Sequence, residues 1–323
     1  MKMLKRPSLF VLFGLVLLGT PAARAADTVN VGTVGSASAN LWPVLIGISK
    51  GFFAAEDLKV DVVYVQSSAN MVQQLAAGSL DMTMSTGLVD PIRAIDQNAP
   101  IAIARFETQS PPYVLTAKAN IKTLADLKGK MISIGGAKDI TRIYVERMLA
   151  PSGIKPGEFD TTFAGATAAR ASALLAGAVD AAILLPPFNF HAESAGFTTL
   201  GLTMTYAPDL PFSGTVVNKN WAAKNQAVLK RVLAAHGKAV EWFYDEKNRA
   251  EAVKILAAVS SIKPEDVDKA YDFFRNNGFF DRTGSVSRKK MTALLEALRT
   301  LGDVQAPGNI ERFVISGVTN LVE

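Results

Sequence analysis

An apolar run, a short loop of small polar residues and a helix ended by glycine follow one another repeatedly along the first two thirds of this chain. Val29–Val34 reads as a buried strand, Gly35–Asn40 as the loop, and about Pro43 to Ser49 as a helix closed by Gly51. Val60–Val65 reads as a second strand, then come Gln66-Ser67-Ser68, a helix to Ala77 with Gly78 after it, and a third strand over Asp81–Ser85. Units of this kind form parallel sheets with right-handed crossovers, which excludes an all-helical or all-antiparallel fold for the region.

The pattern recurs. Leu75-Ala-Ala-Gly-Ser-Leu-Asp81 resembles Leu174-Leu-Ala-Gly-Ala-Val-Asp180 at an offset of 99, and Val65–Ser68 meets Ala164–Thr167 at the same offset. Val29–Val34 and its glycine loop match Met131–Ile134 and Gly135-Gly136 to within a few residues. Two similar α/β lobes, or two ordinary strand–helix units punctuated by glycine caps, both fit and lead to one architecture. A length of 323 residues suits two domains of roughly 150 residues each. With 49% apolar and 20% charged residues, the chain has enough apolar side chains for a sizeable core. After Phe212 the pattern turns helical: Val228, Val232, Ala235, Ala239 and Trp242 share one stripe, as do Val267, Ala270, Tyr271 and Phe274, and then Met291, Leu294, Leu295, Leu298 and Leu301. Lys263-Pro264 and Ser287 mark helix starts.

The N-terminus reads as a cleaved signal peptide over residues 1–25. Lys2, Lys5 and Arg6 precede an apolar run of 10 residues, Leu9 to Leu18, and Ala23-Arg24-Ala25 supplies the small residues of a cleavage site. The run is about half the length needed to span a bilayer. The whole chain has 34 basic and 29 acidic residues; without Lys2, Lys5, Arg6 and Arg24 the count is 30 against 29, a net of +1. The basic balance therefore belongs mostly to targeting, and nucleic acid is not an expected partner. The expectation is an exported, soluble, periplasmic protein.

With no cysteine, disulfides, thiolate metal sites and a cysteine nucleophile are excluded. The two histidines, His191 and His236, lack metal-ligand spacing, so no metal site and no cofactor are expected. Ser287-Arg-Lys-Lys290 matches the Ser-x-x-Lys pattern of penicillin-binding enzymes, but no Ser-Asp-Asn or Lys-Thr-Gly partner follows, and it is read as a helix cap before Met291 and Leu294. No G-x-S-x-G elbow, P-loop or H-E-x-x-H is present. No catalytic residue is expected.

In open parallel sheets, ligands bind beyond the C-terminal strand ends. Six loops rich in small polar residues fall there: Gly35–Asn40, Gln66–Asn70 and Ser85-Thr86-Gly87 in the first half, Gly135–Thr141, Ala164–Thr167 and Leu185–Asn189 in the second. Several precede helices, whose N-termini offer free N–H groups.

Trp42-Pro43, Lys50-Gly51-Phe52-Phe53, Leu58-Lys59-Val60, Gln74–Asp81, Asp126–Lys130 with Ile132–Gly136, and Leu174–Asp180 with Pro186 resemble, in order and spacing, the nitrate/sulfonate/taurine-type periplasmic substrate-binding proteins. That superfamily includes binders of thiamine-precursor pyrimidines. The resemblance covers nearly the whole chain after residue 25. It implies a type II periplasmic binding protein fold: two Rossmann-like α/β lobes joined by a two-strand hinge, closing over a solute. Lobe 1 would comprise 27–114 and 212–323, lobe 2 115–211, with crossovers near Tyr113–Thr116 and Pro208–Ser213 and the C-terminal helices packed on lobe 1. It also implies a monomer that delivers its solute to the membrane permease of an ATP-driven importer. A eukaryotic pyrimidine synthase of the same fold needs a cysteine-rich iron motif that this chain lacks. An exported sensor that feeds a membrane receptor remains an alternative.

Ser36, Ser38, Asn40, Gln66, Ser67, Ser85 and Thr86 are candidate ligand contacts on one side of the cleft. Gly136, Lys138, Thr141 and Arg142, with Asp139, face them from the other. Arg142 suits a bidentate carboxylate or sulfonate, or else an ion pair with Glu146 at i+4. Of the candidate aromatic walls Trp42, Phe106, Tyr113, Phe188, Phe190 and Phe212, Trp42 and Phe188 lie in or beside a predicted cleft loop. The expected ligand is a small organic anion, a sulfonate or carboxylate with an apolar or aromatic part, with a neutral heterocycle as the alternative.

Overall fold

The structure is a computed structural model and describes residues 26–305 and 309–323; the predicted signal peptide lies outside them. Ten strands form two five-stranded sheets. In chain order they are β1 (Asp27–Val34), β2 (Leu58–Val65), β3 (Met82–Gly87), β4 (Ile101–Thr108), β5 (Val114–Ala117), β6 (Met131–Ile134), β7 (Asp160–Phe163), β8 (Ala181–Leu184), β9 (Thr198–Leu202) and β10 (Ser213–Asn218). The first sheet has the order β2-β1-β3-β10-β4 and the second β7-β6-β8-β5-β9. Two short strands, Ser285–Ser287 and Asn320–Val322, pair separately.

The β1 and β2 strands pair in parallel over eight residues, from Asp27 opposite Leu58 to Val34 opposite Val65. Every residue of β4 and β10 is buried, as expected for strands covered on both faces. Each sheet contains one antiparallel strand delivered by the chain's passage from the other: β10 lies between β3 and β4, and β5 between β8 and β9. Residues 109–113 join β4 to β5, with Val114–Thr116 already paired in the second sheet. Helix Thr203–Tyr206 and residues 207–212 lead back to β10. The Thr108 and Ser213 hydroxyls, 2.9 Å apart, tie the two passages together.

The internal repeat has a structural cause. Helix Ser68–Ala77 ends at Gly78 (φ 80°), and helix Thr167–Leu175 is followed by Gly177 (φ 73°). The aspartates that close the repeat do equivalent work. Asp81 accepts the Asn30 N–H at 2.8 Å, and Asp180 accepts the Met131 N–H at 3.0 Å. Each carboxylate thus fastens the chain after the helix to an inner strand of its sheet.

Helices Gln226–Tyr244 and Arg249–Ser260 pack over helix Trp42–Ser49. Trp42 is fully buried there. Its indole N–H donates to Ala252 O at 2.7 Å, and its ring lies 5.2, 6.0 and 6.2 Å from those of Phe243, Tyr271 and Phe274. The buried stripe of helix Gln226–Tyr244 is Leu229, Val232, Ala235, His236, Ala239, Val240 and Phe243. Val228 and Trp242, expected on that stripe, sit at its edge, because Phe243 is the aromatic turned into the Trp42 cluster. Helix Pro264–Asn276 buries Val267, Ala270, Tyr271 and Phe274 as the periodicity predicts. It also reaches the second lobe, where Asp266 accepts the Ser194 hydroxyl at 2.7 Å. Helix Arg288–Thr300 buries Met291, Leu294, Leu295 and Leu298, while Leu301 lies beyond its end and is exposed. No helix among the described residues is long and apolar enough to cross a membrane.

His236 is buried beneath the first sheet with neither ring nitrogen hydrogen-bonded. Burial, and then the charge of Arg105, hold it far below the ordinary histidine range. Below about pH 6.5 the unfolded chain takes up a proton that the folded chain refuses, so this contribution to stability is lost as pH falls. Denaturant melts between pH 7.5 and 5 should show stability falling, by up to about 1.4 kcal/mol per pH unit from this residue. His236→Phe should flatten the dependence; an unchanged slope in that variant would contradict the assignment.

Candidate functional site

The C-terminal ends of the parallel strands of both sheets point into one cleft, which encloses a cavity of about 330 Å³. The two lobes touch across it. The Ala39 N–H donates to Pro186 O at 2.9 Å, and Gly165 lies against Gln66, where an added Cβ would come within 2.2 Å of the Gln66 carbonyl oxygen. Only glycine permits that approach.

On the first lobe the wall is formed by Ser38 and Asn40 after β1, Ser67 and Ser68 after β2, Ser85 and Thr86 at the end of β3, and Asp90 after it. Ser67 caps helix Ser68–Ala77, accepting the Asn70 N–H at 3.2 Å. Ser85 has φ 56°, a left-handed conformation in a non-glycine residue. Its N–H donates to Glu107 Oε2 at 2.7 Å, and its hydroxyl lies 2.7 Å from Asn40 O and 3.0 Å from the same Glu107 oxygen. Glu107 itself is buried behind the wall on β4, and burial raises its pKa against the opposing pull of Thr215, Arg105 and Ser85. Asp90 faces the cavity. Burial first, and then the neighbouring Asp139, push its carboxyl above the ordinary range, while Ser68 and Arg93 pull it back. Arg93 pairs with Asp90 at 3.1 Å and with Asp303, and it donates across the cleft to Lys138 O.

The second lobe contributes Gly135 to Ile140 after β6, and Gly165, Thr167 and Arg170 after β7. Asp139 caps helix Ile140–Leu149. An added Cβ on Gly135 would lie 2.6 Å from Asp139 Oδ1, so the tight loop requires glycine there. Arg170 is 1% exposed and lines the cavity. It donates to Ile183 O at 2.8 Å, Ala164 O at 3.1 Å, Gly165 O at 2.7 Å and Thr167 Oγ1 at 2.8 Å. Its guanidinium lies 5.7 Å from the Tyr113 ring centroid. Among the described residues no carboxylate pairs with it, whereas Arg93, Arg142, Arg147 and Arg249 all have such partners. Tyr113 and Phe212, edge to face at 5.1 Å, supply the aromatic surface.

Of the residues expected from sequence, Ser38, Asn40, Ser67, Ser85, Thr86, Gly136 and Lys138 line the cavity. Ser36 and Gln66 are exposed outside it, Gln66 meeting Gly165 through its backbone. Thr141 is fully buried and shapes the loop, accepting the Gly135 N–H at 2.8 Å and donating to Asp139 Oδ1 at 2.5 Å. Arg142 does not reach the cavity. It pairs with Glu146 at 2.7 Å and borders a separate pocket of about 170 Å³ with Phe159 and Phe163. Trp42 and Phe188 are core residues in one cluster rather than cavity walls; the expectation for them is corrected in favour of Tyr113 and Phe212. Ser287 caps its helix, while Lys290 donates to the Gln109 and Pro208 carbonyls, so the Ser-x-x-Lys pair does not form a nucleophile and base. Sequence reasoning missed Arg170, Asp90 and Glu107. A usable signal for Arg170 was a lone arginine among small residues, one turn after a cleft loop.

A model of the family described as NMT1/THI5 like matches residues 38–250. No curated protein matches the sequence. Among solved structures, the alkanesulfonate-binding protein SsuA from Xanthomonas axonopodis pv. citri, bound to MOPS, superposes with a TM-score of 0.74 at 18% identity, covering 93% of this chain and 100% of that one. The periplasmic nitrate-binding protein NrtA from Synechocystis PCC 6803 superposes with a TM-score of 0.71 at 18% identity, covering 91% and 86%. The desulfurization enzyme DSZB also superposes, at 0.67 and 14% identity, covering 90% and 97%. At these identities the likeness establishes the fold, the two-lobed architecture of the periplasmic binding proteins.

Arg142→Ala should cost at most about 1 kcal/mol of stability and change the affinity for any bound solute less than about twofold, by calorimetric titration. A tenfold loss of affinity would return Arg142 to the binding surface.

Proposed function

The chain belongs to the NMT1/THI5-like family, and on that premise we propose that it is the solute-binding component of an ATP-driven importer. It is exported to the periplasm, closes its lobes over a small organic anion and delivers it to a membrane permease. One observation carries the choice of ligand: the buried, cavity-lining guanidinium of Arg170 without a carboxylate partner. A buried charge without a counter-charge is costly. Backbone carbonyls of its own lobe offset part of that cost, and an anionic solute offsets the rest. Arg170 thus takes the role first considered for Arg142. Lys138, exposed at the cavity wall, adds positive potential that draws anions in.

Tyr113 and Phe212 suit a flat or apolar portion of the solute, and a volume near 330 Å³ is at the small end for ligand pockets. Binding rather than catalysis is supported by Ser85: its hydroxyl already contacts Asn40 O and Glu107, and neither histidine lines the cavity. Because the solute touches both lobes, it stabilises the closed arrangement over the open one, which is how a hinged binder signals occupancy to its permease. A second reading has Asp90 in its favour: its carboxylate suits an N–H group of a neutral heterocycle such as a thiamine-precursor pyrimidine.

A thermal-shift screen with sulfonates, carboxylates, inorganic nitrate and neutral pyrimidines tests the choice. Organic anions should raise the melting temperature, and Arg170→Met should lose that response while remaining folded. Stabilisation by neutral heterocycles alone, or an undiminished anion response in Arg170→Met, would contradict the anion reading.

A further inference from the structure

Asn40 is 7% exposed and lines the cavity, yet only half of its amide has a protein partner. Its Nδ2 donates to Ser85 O at 3.0 Å, and its buried Oδ1 has none. Turning the amide over would set Oδ1 against another carbonyl oxygen, so the Ser85 carbonyl decides which amide atom is left without a partner. That carbonyl is aimed by a residue in a left-handed conformation, φ 56°, which a serine adopts at a cost. The hold on it comes from behind the wall. Glu107 Oε2 accepts the Ser85 N–H and contacts its hydroxyl, and Glu107 Oε1 accepts the Thr215 hydroxyl at 2.5 Å. Glu107 and Thr215 stand on neighbouring, fully buried strands, β4 and β10, so the carboxyl group is fixed by the sheet.

We propose that Glu107, which does not line the cavity, is a positioning residue for solute recognition: through Ser85 it locks the Asn40 amide so that only an acceptor is presented. The first lobe then demands an N–H or O–H from the solute, while Arg170 on the second lobe takes its anionic group. The selected solute is an organic anion that also carries a hydrogen-bond donor away from its anionic end. This deepens the solute-binding reading above and rests on it.

Hydrogen exchange of side-chain amides, followed by NMR on asparagine-labelled protein with no solute added, tests the lock by itself. Asn218 is the internal control, since its Nδ2 donates to Leu75 O at 2.9 Å in the same lobe. Glu107→Gln should speed exchange at Asn40 by about tenfold and leave Asn218 unchanged. Thr215→Val, a milder change, should move Asn40 in the same direction. No change at Asn40 in either folded variant, or equal acceleration at Asn218, would overturn the lock. The probes benzenesulfonate and 4-hydroxybenzenesulfonate then test selectivity: the hydroxylated one should bind about tenfold more tightly, and Glu107→Gln should shrink the difference below about threefold. Equal binding of the two by the unaltered protein would overturn the demand for a donor. Binding of neither would count against the organic-anion reading, while the exchange result would still decide the lock.

Discussion

Everything about the cleft depends on the exchange of one strand between the sheets. Because β10 is inserted between β3 and β4, and β5 between β8 and β9, each lobe is completed by chain arriving from the other. Neither inserted strand is an edge strand, so both are held by neighbours on each side. The two connections therefore run side by side and set the ends of both sheets face to face. One ammonium group joins them: Lys290 donates to Gln109 O in the first connection and to Pro208 O in the second. Burial lowers its pKa, as desolvation of a cation requires. Two rigid bodies joined through short, shared linkers form a hinge.

The cavity walls differ in chemistry. The second lobe brings Arg170, whose donors are mostly engaged by its own backbone, and Lys138 at the surface. The first brings hydroxyls, the Asn40 acceptor and Asp90, with Arg93 beside it. A solute that fits both is not uniformly negative. On the proposed reading this asymmetry favours an organic anion with a donor group over a small inorganic oxyanion, whose oxygens would face the Asn40 and Asp90 acceptors.

Much of this organisation was legible in the sequence. The offset repeat reflects Asp81 and Asp180, each fastening an equivalent strand, and the six small-residue loops do converge on one cleft. What periodicity and spacing do not convey is where a side chain points once two elements meet. Trp42 begins a helix beside a cleft loop, but its ring turns away toward Phe243 and Tyr271, which come from about two hundred residues further on. Arg142 and Arg170 sit alike near the starts of their helices. One faces outward to Glu146 and the other inward to β8 carbonyl Ile183. Glu107 was illegible for a different reason: a glutamate within Ile101–Thr108 gives no sign that it reaches past β10 to hold Ser85 on β3.

The most direct test of the account is native mass spectrometry of gently purified protein spanning residues 26–323, alongside its Arg170→Met variant. The account predicts a stoichiometric small organic acid on the unaltered protein and none on the variant. A neutral compound bound to both would contradict it.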